Sequence, residues 1–105
     1  MANTKHAMTR EGHLLWILAE ECSEVAQRAS KIARFGLYEV QPGQGVTNRG
    51  RIMNELCDLL AVIEMLQECG VLDHFLDRIA IETKKEKVEK FLRYSESQGL
   101  LREES

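Results

Sequence analysis

Apolar side chains recur at helical spacing through the first third of the chain. The pattern predicts a helix from about Thr9 to Phe35, with Gly36 in the position of a C-terminal cap. Its apolar stripe consists of Leu14, Leu18, Val25, Ala29 and Ile32. A helix of this length spans about 40 Å. The first predicted element is therefore one long amphipathic helix.

A second stripe of the same period follows after a break rich in glycine. It predicts a helix that has Thr47 or Asn48 as its N-cap and runs to Cys69, where Gly70 ends it. The stripe consists of Ile52, Leu56, Leu59, Ile63 and Leu66. Between the two helices, residues 36–47 contain the only proline, Pro42, and predict a polar, flexible loop.

A third helical segment is predicted from Leu72 or Asp73 to about Tyr94. Its apolar pattern slips near Thr83, which predicts a kink or a split there. No stretch alternates with period two, so no strand is expected. We predict one all-α domain over residues 1–105, a long helical hairpin with a third helical segment, and a frayed tail at 96–105. Because three helices cannot cover every apolar stripe, we expect the chain to assemble into an oligomeric helix bundle, a homodimer or homotetramer.

Charge and cysteine content narrow the class of protein. The formal net charge is -3 and the sequence pI is about 5.6, which disfavours nucleic acid and anionic membranes as partners. The three cysteines show no paired spacing of a disulfide framework. The N-terminal residues lack the apolar run of a signal peptide, and no apolar run is long enough to cross a bilayer. These features predict a cytoplasmic protein.

Acidic residues are spaced three apart in both long helices. Glu21 and Glu24 form such a pair in the first helix, preceded by Glu20, and Glu55 and Asp58 form one in the second. Residues at i and i+3 lie about 5–6 Å apart at Cβ, so each pair can share one hard cation such as Mg²⁺ or Mn²⁺. The alternative is that they are ordinary solvated helix acids.

The position of these acids on their helices favours a site. Glu21, Glu24 and Arg28 continue a line of three- and four-residue steps that begins at Leu14 and Ile17. The second pair likewise lies beside an apolar packing stripe. Partly buried like charges are unfavourable unless a cation neutralises them, and each raises the pKa of the other.

Two segments of the chain resemble a known family. The resemblance is to the MazG-like all-α nucleoside triphosphate pyrophosphohydrolases, in particular the small members encoded by phages and prophages. It is carried by the segment LAEECSEVAQRASKIARFGLYEV and, after a loop, by the segment NELCDLLAVIEML. That superfamily is marked by EExxE followed by ExxD, and the resemblance covers about residues 14 to 68. It implies Mg²⁺-dependent hydrolysis of a (deoxy)nucleoside triphosphate to the monophosphate and pyrophosphate by an oligomeric enzyme.

The resemblance also implies roles for individual acids. Glu21, Glu24, Glu55 and Asp58 correspond to the metal ligands of the family. Glu20 corresponds to a residue that binds through water or accepts a proton from the metal-bound water. All five are therefore predicted to be catalytic residues.

Basic residues that could contact phosphate occur in two places. Members of the family often use a lysine or arginine of the third helix, and here Lys84, Lys85 and Lys87 stand in a basic run. Such a run is more typical of a solvated face, and contact of one of these lysines with phosphate is the alternative. Arg49 and Arg51 open the second helix, and a helix N-terminus favours anions.

Trp16 and His13 stand about one turn apart before the first acidic motif, where either could stack on a base. Packing in the core or between subunits is the alternative. Cys22 and Cys57 lie within the acidic motifs, but the spacing of a zinc site is absent from the sequence.

Two other functions remain open from the sequence. One is phosphoribosyl-ATP pyrophosphohydrolase, from the same superfamily, although its typical histidine shortly after the ExxD acid is absent here. The other is a non-catalytic helical oligomerisation or regulatory protein whose acids are solvated.

Overall fold

Three α-helices make up the fold in a computed structural model that describes residues 7–74 and 76–102. They are α1 (Arg10–Phe35), α2 (Asn48–Glu68) and α3 (Arg78–Ser97), and no strand occurs among the described residues. The predicted all-α fold is confirmed. The chain divides into two compact units, one ending at His74 with α1 and α2, the other beginning at Phe75 with α3. That both belong to one domain stays a prediction.

Threonine caps begin both helices of the first unit. Thr9 Oγ1 accepts a hydrogen bond from Gly12 N at 3.0 Å, and Thr47 Oγ1 accepts one from Gly50 N at 3.1 Å. Each bond satisfies one of the N–H groups that a helix start leaves free, which stabilises a helix by about 1 kcal/mol. At the other end of α1, Gly36 adopts φ 94°, a conformation that favours glycine. The predicted bounds of α1 and α2 are confirmed to within one residue, since Thr9 is the N-cap of α1 and Cys69 the C-cap of α2.

α1 and α2 pack against each other as a helical hairpin. Leu14 of α1 and Val62 and Leu66 of α2 form its buried cluster, with Ile17 and Leu18 partly buried against it. Leu66 is fully buried. This core lies where α1 begins and α2 ends, so it fixes the antiparallel register of the two helices at that end.

The loop between the helices, residues 36–47, is held by hydrogen bonds. Gln44 N donates to Gln41 O at 3.0 Å, closing a turn that has Pro42 second and Gly43, at φ 79°, third. That order of residues is typical of a type II turn. Asn48 Nδ2 donates to Gly36 O at 3.0 Å, which joins the end of α1 to the start of α2.

α3 begins later and ends later than predicted. The prediction that it starts at Leu72 or Asp73 is wrong, because Leu72 N instead donates to Leu66 O at 3.2 Å in the turn that ends α2. The cap is Asp77, whose Oδ1 accepts from Ile79 N at 2.9 Å and Ala80 N at 3.2 Å. The helix passes through Thr83 without interruption, so the predicted split is wrong, while the alternative of a kink there stays a prediction.

The predicted tail is partly helical. Residues 96 and 97 belong to α3, and the helix closes with Gln98 N donating to Tyr94 O at 3.1 Å. Residues 103–105 of that tail lie outside the described residues. None of the described helices carries an apolar stretch long enough to span a bilayer.

Candidate metal centre

Three carboxylates from the two helices of the hairpin meet at one place. Glu21 of α1 and Glu55 and Asp58 of α2 each offer an oxygen, and these oxygens all lie within 4.8 Å of one another. Glu21 and Glu55 are half-buried and Asp58 is exposed. Opposite oxygens around a Mg²⁺ ion lie about 4.2 Å apart, at 2.0–2.1 Å from the metal each. A small side-chain adjustment would therefore place all three oxygens around one such ion.

Heptad spacing brings these carboxylates together. Glu21 follows the core residue Leu14 by seven residues, and Glu55 precedes the core residue Val62 by seven. Seven residues make about two helical turns, so each acid lies on the same helix face as its core residue. Because α1 and α2 run antiparallel, both acids reach the same level of the hairpin, where they face each other beside Asp58.

The charges around Glu21 are unfavourable for its ionised form. Partial burial is the largest cause that raises its pKa above the usual value, followed by the negative charges of Asp58, Glu55, Glu24 and Glu20. All four of these neighbouring charges are negative, so none of them compensates the charge of the Glu21 carboxylate. A divalent cation would supply that charge, since carboxylate oxygens are the ligands that hard cations prefer.

Glu20 and Glu24 stand next to this group without joining it. Both are exposed on α1, and their oxygens are not part of the set within 4.8 Å, although their charges act on Glu21. The prediction that Glu24 is a fourth ligand, and that Glu20 acts through water, stays a prediction.

The predicted phosphate-binding lysines lie on α3, in the second unit. Lys85 Nζ pairs with Glu82 Oε1 at 3.3 Å, as expected for a solvated helix face. Lys84 and Lys87 line an open depression on α3 together with Phe91 and Tyr94. Their contact with phosphate stays a prediction.

The N-terminus of α2 is occupied by bonds within the protein. Asn48 N donates to Glu39 O and Arg49 N to Leu37 O, both at 2.9 Å. The next two N–H groups, of Gly50 and Arg51, donate to the Thr47 side chain and carbonyl. These four donors are satisfied, so the helix start offers an anion little beyond the side chains of its arginines.

Two polar residues are buried to which the sequence assigned no role in the candidate site. Arg28 of α1 is 8% exposed and Asn48 of α2 is 2% exposed. Arg28 Nε and Asn48 Oδ1 are both buried without a hydrogen-bond partner. Arg28 stands on the line of three- and four-residue steps through Leu14 and Glu21, and this was the signal that could have found it.

Trp16 lies on the surface of the hairpin, next to the acidic motif. Its side chain is 55% exposed, so the interpretation as a core residue does not hold for the described hairpin. With His13, Ile17 and Glu20 it lines an open depression of about 450 Å³. A flat aromatic surface one turn from the carboxylates is suited to stack against a planar ring.

The cysteines are exposed free thiols, and none belongs to the group of metal-ligating side chains found among residues 7–74 and 76–102. The geometry therefore favours an oxygen site for a hard cation.

Comparison with protein-family models, with curated proteins and with solved structures found no match to this chain. The function is therefore argued from the residues and the geometry of the site.

Proposed function

We propose that the protein is a Mg²⁺-dependent nucleoside triphosphate pyrophosphohydrolase of the MazG-like class. The convergence of Glu21, Glu55 and Asp58 within 4.8 Å is the observation that carries this proposal. These three are also residues that the resemblance to the family assigns as metal ligands, and Mn²⁺ fits the same oxygens. The substrate is a (deoxy)nucleoside triphosphate and the products are the monophosphate and pyrophosphate.

The roles of the chain's residues follow from charge. Carboxylates repel a triphosphate, so Glu21, Glu55 and Asp58 bind substrate through a shared cation. A cation held by these three carboxylates would supply positive charge for the phosphates and would lower the pKa of a bound water. Glu20, exposed on the same helix, accepts the proton of the attacking water as its oxygen bonds to phosphorus and pyrophosphate leaves. Cys22 and Cys57 take no part, because a thiolate nucleophile is not needed.

We further propose that the active protein is a homodimer or homotetramer. The hairpin exposes several large apolar side chains whose association would remove them from water. The exposed set on α1 and α2 is Leu15, Trp16, Phe35, Met53, Leu60 and Met65. In such an assembly a neighbouring subunit could bring Lys84, Lys85 or Lys87 to the phosphates.

The compartment proposed for this activity is the cytoplasm. Cys22, Cys57 and Cys69 are exposed thiols, and exposed thiols persist in a reducing compartment. Triphosphate substrates are also cytoplasmic metabolites.

A substrate panel tests the reaction. The purified protein would be incubated with the eight common ribo- and deoxyribonucleoside triphosphates, with Mg²⁺ or with EDTA, and the products separated by ion-exchange chromatography. We expect equal amounts of monophosphate and pyrophosphate, with Mg²⁺ alone. Release of orthophosphate with a diphosphate contradicts the reaction. An inactive protein across the panel and with phosphoribosyl-ATP favours a non-catalytic role.

A further inference from the structure

Helix α1 carries a buried arginine about two helical turns after Glu21. Arg28 is 8% exposed and its Nε is buried without a hydrogen-bond partner. Among the described residues it forms no ion pair with a carboxylate. A guanidinium is charged at every physiological pH, and a buried charge without a counter-charge is strongly unfavourable. The folded hairpin therefore keeps a cationic group that is free to bind an anion.

Arg28 lies on the carboxylate face of α1. It follows Glu21 by seven residues, so the two side chains leave the helix in nearly the same direction, with their Cα atoms about 10 Å apart along the axis. Helical side chains lean towards the N-terminus of their own helix. Arg28 consequently leans towards Glu21, and Glu55 on the antiparallel α2 leans towards the level of Arg28.

Asn48 provides a matching acceptor at that level. It precedes Glu55 by seven residues and is 2% exposed, so it lies on the same buried face of α2. Its Nδ2 donates to Gly36 O at 3.0 Å and to Glu39 Oε1 at 3.3 Å, which are both acceptors and fix the orientation of the amide. Asn48 Oδ1 is thus an acceptor without a donor, level with the Arg28 donor without an acceptor.

From this arrangement we propose that Arg28 binds a phosphate group of the triphosphate inside the hairpin. Asn48 is the proposed positioning residue: its Oδ1 and Arg28 Nε are both unpaired in the structure, and a bond between them on phosphate binding would leave the terminal N–H groups of Arg28 for the phosphate. The planar guanidinium makes paired hydrogen bonds to phosphate oxygens that a lysine cannot make. The inference rests on the proposed function and extends it. It names Arg28 as the group that neutralises the phosphate oxygens not bound by the cation at the carboxylates.

Binding of a base-free ligand tests Arg28 directly. Calorimetric titration with imidotriphosphate, whose P–N–P bridges resist hydrolysis, would be carried out in Mg²⁺ for wild type, Arg28→Met, Arg28→Lys and Arg34→Met. Arg34 is the matched control, because it is an exposed arginine of the same helix that stacks on Phe35 at 4.9 Å. We expect Arg28→Met to weaken triphosphate binding by about 10- to 100-fold. Arg34→Met should bind like wild type.

Separate readouts distinguish this proposal from the proposed function. Mg²⁺-dependent stabilisation without triphosphate should persist in both Arg28 variants, because Arg28 is not one of the proposed ligands of the cation. Absence of that stabilisation in wild type contradicts the metal site and hence the proposed function. Triphosphate affinity in Arg28→Met equal to that of wild type overturns the role of Arg28. If Arg28→Met does not fold, Arg28→Lys decides, since it keeps the charge and loses the paired hydrogen bonds. Wild-type affinity in that variant overturns the proposal.

Asn48 has its own readout as a positioning residue. Asn48→Asp keeps an acceptor for Arg28 Nε but adds a negative charge that pairs with the guanidinium. We expect Asn48→Asp to weaken triphosphate binding in wild type by about tenfold or more, and to have little further effect when Arg28 is already Met. Equal losses in both backgrounds show that Asn48 acts independently of Arg28 and overturn its positioning role.

Discussion

The acidic side chains of the hairpin and those of α3 differ in the charges that lie next to them. On α3, Glu82 is paired with Arg78 one turn before it and with Lys85 one turn after it, in water. On the hairpin, Glu21 is half-buried and faces Glu55 and Asp58. The same residue type is thus neutralised by its own helix in one unit and crowded by like charges in the other.

That difference separates a surface from a candidate site. Exposed i, i+4 pairs contribute a few tenths of a kcal/mol and are readily lost to solvent. Crowded carboxylates are unfavourable when ionised, and a bound cation would relieve that crowding, which is why the hairpin acids and not those of α3 form the proposed metal site. Four measurements test whether the two groups of acids differ in this way.

The largest effect is expected on turnover. Glu55→Gln removes a ligand of the shared cation while keeping the shape of the side chain, and should lower kcat for pyrophosphate release by about 10²- to 10³-fold. Glu82→Gln on α3 is the matched control and should retain wild-type turnover. Activity of Glu55→Gln near the wild-type level would falsify the proposed role of Glu21, Glu55 and Asp58 in catalysis. Glu24→Gln decides whether the fourth predicted ligand is needed.

Stabilisation by metal comes next. Mg²⁺ at 10 to 100 times its dissociation constant should stabilise the wild-type hairpin by about 1–3 kcal/mol, because it binds the folded carboxylates and not the unfolded chain. Thermal melting in Mg²⁺ and in EDTA measures this difference. Glu55→Gln should reduce the gain and Glu82→Gln should not. Identical melting curves of the wild type in the two buffers would contradict a metal site.

A smaller effect is expected from pH without metal. The pKa of Glu21 is raised in the folded state by partial burial and by its acidic neighbours. Stability from this group is therefore fully present below the unfolded pKa and is lost as the pH rises through the folded pKa. Urea unfolding in EDTA, from acidic to neutral pH, should show this loss in the wild type and less of it in Glu21→Gln. A pH dependence that is the same in both proteins would contradict the crowding of Glu21.

The smallest effect belongs to the pairs on α3. Glu82→Gln removes both of its ion pairs, whose side chains are half or more exposed, and should cost at most about 0.5 kcal/mol of helix stability. Raising the ionic strength should reduce even that difference. Urea unfolding at low and high salt measures it. A loss of several kcal/mol would show that α3 relies on charge pairs as a buried site does.

Local signals in the sequence were enough to predict most of the hairpin. Thr47 and Gly36 define helix ends through bonds to residues a few positions away, so they can be recognised without the fold. The start of α3 was missed because Asp73 and Asp77 are both plausible caps. Which one caps depends on the turn after α2, where Leu72 N is already bonded to Leu66 O.

The candidate site was predictable in part for the same reason. Glu21 and Glu55 were found because each stands beside an apolar stripe, which is a property of one helix. Whether Arg28 and Asn48 are buried depends on how α2 is aligned with α1. The apolar stripe of one helix does not determine that alignment. The sequence therefore placed Arg28 on the line through Glu21 and Glu24 without assigning it a role.

Trp16 has a consequence of an optical kind. It is the chain's single tryptophan, more than half exposed, and about one turn from the first acid of the motif. An indole in water emits at longer wavelength than one that is covered. A ring or subunit that covers the Trp16 side chain therefore shifts its emission to shorter wavelength. The protein thus carries an unlabelled fluorescent reporter beside its carboxylates, against a background free of other indoles.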